Sequence, residues 1–241
     1  MMESTPLIRL LPGYCIPALL ASLITSVYNI VDQLFIGNKV GMLGNAAANV
    51  VFPAVTIMTA LSLMCGVGTS AVMNLNLGNG DREKARMAVG NGVLLMILCG
   101  AVPCIVMLIF TEPLLYLFGC TDAVLPYAVP YARITALGYI FSMLGSSGPF
   151  LMRADGSPRL ALVCTGAGAV LNIFLDVLFV CGFEWGIAGA AWATVIGQGV
   201  SAAIFAGYLF RFKSFPLFAR KGISAGAFRP YPALAVRIAA L

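Results

Sequence analysis

The run at residues 165–182, TGAGAVLNIFLDVLFVCG, decides the fold. It is apolar throughout except for Asn172 and Asp176, set four residues apart, a spacing that puts both on one face of a helix. Followed backwards, that face carries Gly168 and Thr165, so the stripe is small and polar rather than oily. An ionisable group inside a membrane span costs about 3 kcal/mol or more, and such groups face a protein interior or a watery cavity. Asp176 is therefore the first candidate for function. Asp32, buried in the first apolar run of the chain, is the second.

Composition places the rest of the chain in the same solvent. Of 241 residues, 61% are hydrophobic and only 10% are charged, and the mean hydropathy is +0.98. Soluble domains carry about 25% charged residues, so this chain lacks the polar surface to cover a water-soluble core. The apolar runs are long and continuous, unlike the alternating segments of about ten residues that build an outer-membrane barrel. The class is an all-α polytopic membrane protein.

Six runs are long enough to cross a bilayer, which takes about 20 residues: 8–36, 46–76, 87–111, 126–151, 159–182 and 186–210. The first run is too long for the apolar core of a cleavable signal, and no small-residue cleavage site follows it. Pro17 lies in the first run and Pro53 in the second. Each reads as a helix bend or as a plain kink. Short turns punctuate the runs. Asp81 is placed to cap the third helix, and Ser157 with Pro158 to open the fifth.

Twelve of the fourteen Lys and Arg residues fall at one end of this up-and-down arrangement: Arg9, Arg82, Lys84, Arg86, Arg153, Arg159, Arg211, Lys213, Arg220, Lys221, Arg229 and Arg237. Lys39 and Arg133 take the other end. The positive-inside rule then puts the N-terminus, the even loops and the tail in the cytoplasm, in a multi-pass protein of the cell (inner or plasma) membrane. It also explains the formal charge of +5 as topology, with no nucleic acid as partner. The domain reading is a six-helix unit over 1–212, followed by a basic linker over 213–241. That linker turns apolar at Pro232–Leu241 in a pattern like Pro6–Leu11, as though a seventh helix and a second repeat were beginning.

A rise of about 1.5 Å per residue gives the depth of each polar group. Asp32 lies roughly 7 Å below Gly37, and Asp176 roughly 9 Å below Gly182. Thr194 lies roughly 12 Å below Gly186, and Asn172 roughly 15 Å deep. Three helices thus bring Asp32, Asn172, Asp176 and Thr194 to one layer. Two carboxylates with an amide and a hydroxyl suit a hard cation such as Na⁺, or a proton carried by a desolvated carboxylate. The residues alone do not choose, and Asn172 and Thr194 also read as helix–helix hydrogen bonders.

Asn49, Pro53, Thr56 and Ala60 share a face of the second helix and are candidate cavity-lining residues, as is Gln198, one turn deeper than Thr194. Tyr139 and the 141–143 segment read as packing, as do the seven cysteines, which show no metal-type spacing. Glu112, Asp122 and Glu184 fall in turns. No histidine, no paired carboxylate metal motif and no nucleophile–base pair is present, so an enzyme is not expected.

With these residues in place, the chain resembles the N-terminal half of a multidrug and toxic compound extrusion (MATE) transporter. The likeness rests on VDQLFIG at 31–37, LGNGDREKAR at 77–86, LMRADGSPRLAL at 151–162, LNIFLDVLFV at 171–180 and GIAGAAWATVIGQ at 186–198. The RADGSP form of the fourth loop is most similar to the DinF/MepA-type bacterial branch. The resemblance implies one lobe of a twelve-helix transporter that exports cationic amphipathic compounds against a Na⁺ or H⁺ gradient, with no other cofactor. It implies a coupling site on Asp32, Asn172, Asp176 and Thr194. It also implies a partner: the second lobe, which this chain lacks, or a second copy. The alternatives are a flippase for lipid-linked saccharides and an inactive half-transporter.

Overall fold

The computed structural model describes residues 7–214 and Ile238. Eight helices account for almost all of the described residues, and none of these residues forms a strand. They are α1 (Leu7–Lys39), α2 (Met42–Gly78), α3 (Arg82–Ile109), α4 (Thr111–Leu117), α5 (Leu125–Leu137), α6 (Tyr139–Ala154), α7 (Pro158–Asp176, continued by a π-helical turn over Val177–Gly182) and α8 (Gly186–Leu209). Five of the spans are long and apolar enough to cross a membrane, and the bent pair α5–α6 makes a sixth. The protein is a multi-pass membrane protein. The linker from residue 215 onward and the start of a seventh helix lie outside the described residues, apart from Ile238, which is buried with Val72 of α2 and Ala88 of α3.

Helix is the default here because backbone groups in lipid must bond within their own segment. Leu19, Leu23 and Ile30 of α1 are exposed apolar side chains, as a lipid-facing helix requires. The centre of the bundle is α8, which packs against α6 and α7, while α2 packs against α3 and α6, and α1 against α7. The sequence of α8 suits that place. Gly189, Ala190, Ala191, Ala193 and Gly197 are all buried, and small residues let helix backbones approach closely without lipid between them.

Three spans differ from their sequence reading. The third ends at Ile109, and a separate short helix, α4, begins after Phe110. The Thr111 hydroxyl donates to the Met107 carbonyl at 2.7 Å across that break. The fourth is two helices, α5 and α6, bent by 54°. At the bend the Gly138 N–H donates to Thr135 O at 2.9 Å, a one-residue-tighter bond than the α-helical pattern. Thr135 also bonds back to Tyr131 O, a habit that bends helices. A Cβ on Gly138 would come within 2.7 Å of Val195 Cγ2 and 3.2 Å of Gln198 Oε1, so this corner is pressed onto α8 as only glycine permits. The fifth loses α-helical register just after Asp176, where the π turn begins.

The turns follow their sequence reading more closely. Asp81 caps α3, accepting from the Lys84 N–H at 3.0 Å. Ser157 stands at the N-cap of α7 with Pro158 at the first helical position, but its hydroxyl makes no cap bond; it is engaged with Tyr208 instead.

Candidate functional site

The stripe on α7 meets α8 along a seam of small residues. A Cβ on Gly168 would collide with Ser201 Oγ and stand 2.7 Å from Gly197 O, and a Cβ on Gly197 would stand 2.7 Å from Gly168 O. This close approach carries Asn172 to Thr194, and the Asn172 amide donates to Thr194 Oγ1 at 3.3 Å. Ser201 and Cys164 extend the seam, with the Ser201 hydroxyl donating to Cys164 O at 3.0 Å.

Asp176 follows one turn beyond Asn172 and is fully buried; Asn172 is buried as well. Asp32 of α1 is buried and lies within electrostatic reach of Asp176. Four acceptor oxygens in this layer have no hydrogen-bond donor: Asp32 Oδ1, Asn172 Oδ1 and both oxygens of Asp176. Buried polar atoms normally find partners, and this layer gathers four that do not. Among the described residues no three His, Cys, Asp or Glu side chains converge. Two carboxylates with a neutral amide and a hydroxyl are the donor set of a hard cation or a proton rather than of a soft transition metal.

Two tyrosines join this layer that the sequence reading did not single out. Tyr28 lies near Asp32, and Tyr131 of α5 is buried within reach of both Asp32 and Asp176. Tyr28 was discoverable, since it precedes Asp32 by four residues on the same face of one helix. Tyr131 arrives through the bend of the fourth span, which no local pattern announces.

Beside the carboxylates lies a cavity of about 480 Å³ between α1, α2, α6, α7 and α8, with Asn172, Thr194 and Gln198 among its walls and Arg153 toward the basic end. Several of its hydroxyls spend their protons on their own helices: Thr25 on Ala21 O, Thr59 on Val55 O and Thr165 on Ala161 O. What they turn to the cavity is oxygen lone pairs. Asp32 and Asp176 do not line it. Of the residues expected to line a cavity, Gln198 does. Asn49, Pro53 and Thr56 do not line this one; Asn49 and Thr56 are exposed and Pro53 is half-buried. Thr59, Ser62 and Leu63 take their place. Pro17, with Pro12, interrupts the hydrogen-bond ladder of α1 below Asp32.

Comparison with known proteins agrees with this architecture. Residues 17–178 match the MatE family model. The chain is 24% identical over 213 residues to the multidrug export protein MepA of Staphylococcus saprophyticus, covering 87% of this chain and 46% of that protein. It is 26% identical over 203 residues to MepA of Staphylococcus aureus, covering 84% and 45%. It superposes with a TM-score of 0.83 and 25% identity on a multidrug resistance MATE transporter in an outward-facing conformation, over 93% of this chain and 49% of that one. A MATE structure in a straight conformation gives 0.84 and 27%, over 94% and 49%. The chain thus spans about half the length of the relatives it matches. Its helices form one six-span lobe of their fold, and the chain belongs to the MatE family of transporters.

Proposed function

We propose that this lobe is the ion-coupled half of a secondary exporter, moving cationic amphipathic compounds out of the cell in exchange for Na⁺ or H⁺. The observation that carries the reading is the set of four donorless acceptor oxygens on Asp32, Asn172 and Asp176, in a chain whose relatives are named multidrug export proteins. The acceptor-rich cavity wall beside them supports the substrate class, because lone pairs receive the N–H groups of protonated amines. A flippase for anionic lipid-linked sugars would want several cationic groups in its cavity, and Arg153 is the only Lys or Arg among its lining residues.

In this reading Asp32 and Asp176 hold the coupling ion or proton, Asn172 adds a neutral oxygen, and Thr194 orients Asn172. Ion binding favours one arrangement of the lobe and substrate the other, with α1 bending at Pro17. Coupling requires that each ligand bind the two states differently, typically by about 1–3 kcal/mol. The basic end, with twelve of the fourteen Lys and Arg residues, faces the cytoplasm of the cell membrane. A second lobe or a second copy of the chain completes the transport path, and no catalytic step is involved.

The experiment is efflux of a cationic dye from vesicles containing the complete natural reading frame, under imposed Na⁺ or pH gradients. Gradient-driven efflux that Asp176→Asn abolishes supports the reading, and the effective gradient names the ion. Efflux that survives the substitution would end it.

A further inference from the structure

Asp155 is a buried carboxylate that the coupling site does not use. It lies in the three-residue loop between α6 and α7 and is 5% exposed. Its Oδ2 accepts from the Tyr208 hydroxyl at 2.6 Å and from the Lys213 N–H at 2.7 Å. Its Oδ1 accepts from the Ser214 N–H at 2.9 Å and from the Ser214 hydroxyl. Tyr208 has given its one proton to Asp155, so its oxygen accepts from the Ser157 hydroxyl, 3.0 Å away. Lys213 Nζ reaches the Gly156 carbonyl at 3.4 Å, and the Phe212 ring packs against Tyr208 with centroids 5.6 Å apart.

The pattern is directional. All four donors to Asp155 come from the last turn of α8 and the residues just after it, and none from α6 or α7. Two of them are main-chain N–H groups of consecutive residues, which fixes the course of the backbone and not only a side chain. Bonds to a carboxylate are stronger than neutral ones. The 155–157 loop therefore grips the chain where it emerges from α8.

We propose that Asp155 is a positioning residue that anchors the exit of α8. It holds residues 212–214 to the α6–α7 loop, so that α6, α7, α8 and the start of the following segment move as one body. The point from which the chain continues beyond Ser214 is then set by this carboxylate. The inference does not depend on what the lobe transports or on its coupling ion.

Limited trypsin digestion of the purified full chain in detergent tests it, because a protease cuts a segment only after that segment leaves its native bonds. The readout is the rate of cleavage after Arg211 and Lys213 relative to cleavage after Arg82 and Lys84. The latter pair lies in the first turn of α3, just after the α2–α3 turn on the same end of the bundle, and serves as an internal reference. Asp155→Ala is expected to raise that ratio about ten-fold, and Tyr208→Phe, which removes one of the four donors, a few-fold. An unchanged ratio would overturn the proposal, as would a parallel rise at both places, which marks general loosening of the bundle. If Asp155→Ala fails to insert, Tyr208→Phe decides by the same ratio.

Discussion

Asn172 donates an amide proton to Thr194 across 3.3 Å, while its carbonyl oxygen has no donor of its own. The bond fixes which way the amide faces: nitrogen toward Thr194 of α8, which leaves the oxygen without a donor. Thr194→Val keeps the shape and removes that constraint. Interhelical hydrogen bonds in membranes contribute only about 0.6 kcal/mol on average, so thermal stability in detergent should fall slightly. The affinity for the proposed ion or proton should fall more, several-fold, and a titration of ion-dependent stabilisation against the parent protein reads it.

Substitutions along the α7–α8 seam should separate close approach from open space. Gly168→Val puts atoms where Ser201 Oγ and Gly197 O already stand, whereas a Cβ on Gly199 meets nothing within 4 Å. Overpacking of this kind costs about 1–3 kcal/mol. Thermal unfolding should show Gly168→Val strongly destabilised and Gly199→Ala close to the parent.

A cation or proton held by the donorless oxygens also stabilises the fold by mass action, by about 2.7 kcal/mol at a hundred times its dissociation constant. Melting temperature measured across a NaCl series against choline chloride, and across pH, should rise either with added NaCl or with falling pH. Asp176→Asn should remove that rise. A rise retained in the variant would place ion binding elsewhere.

At the α3 cap, the hydrogen bond and charge of Lys84 hold the Asp81 carboxyl below its ordinary value of 3.8. A carboxyl depressed in the folded state stabilises it fully above that ordinary value and loses its contribution as pH falls through the lower, folded one. Amide exchange in the first turn of α3, corrected for intrinsic rates, should therefore be pH-independent above about 5 and accelerate in more acid solution. Asp81→Asn should remove that acid-side change.

The six spans, the turns between them and the gathering of Asp32, Asn172, Asp176 and Thr194 were legible because they rest on length, charge placement and helical spacing. The break at Gly138 was not, since a lone glycine in an apolar run is compatible with an unbroken span; the bend comes from Thr135 bonding back and from the pressure of α8. The π turn after Asp176 has no signature in VLFVCG. The α2 residues that line the cavity beside the site were not singled out, for a related reason. The composition of α2 is apolar on every side, so Ser62 carries no mark of its packing against α6, where its hydroxyl lies 3.1 Å from the Met143 sulfur. The Asp155 anchor joins residues more than fifty positions apart, a distance at which spacing rules carry no information.

The seam of small residues between α7 and α8 has a mechanical meaning. Backbones this close cannot slide or roll past each other without collision, so Asn172, Asp176 and Thr194 form a rigid jaw. Asp32 stands on α1, a helix with many exposed apolar side chains and two prolines in its ladder. The distance between the two carboxylates is then set at the packing of α1 on α7 and not within the seam.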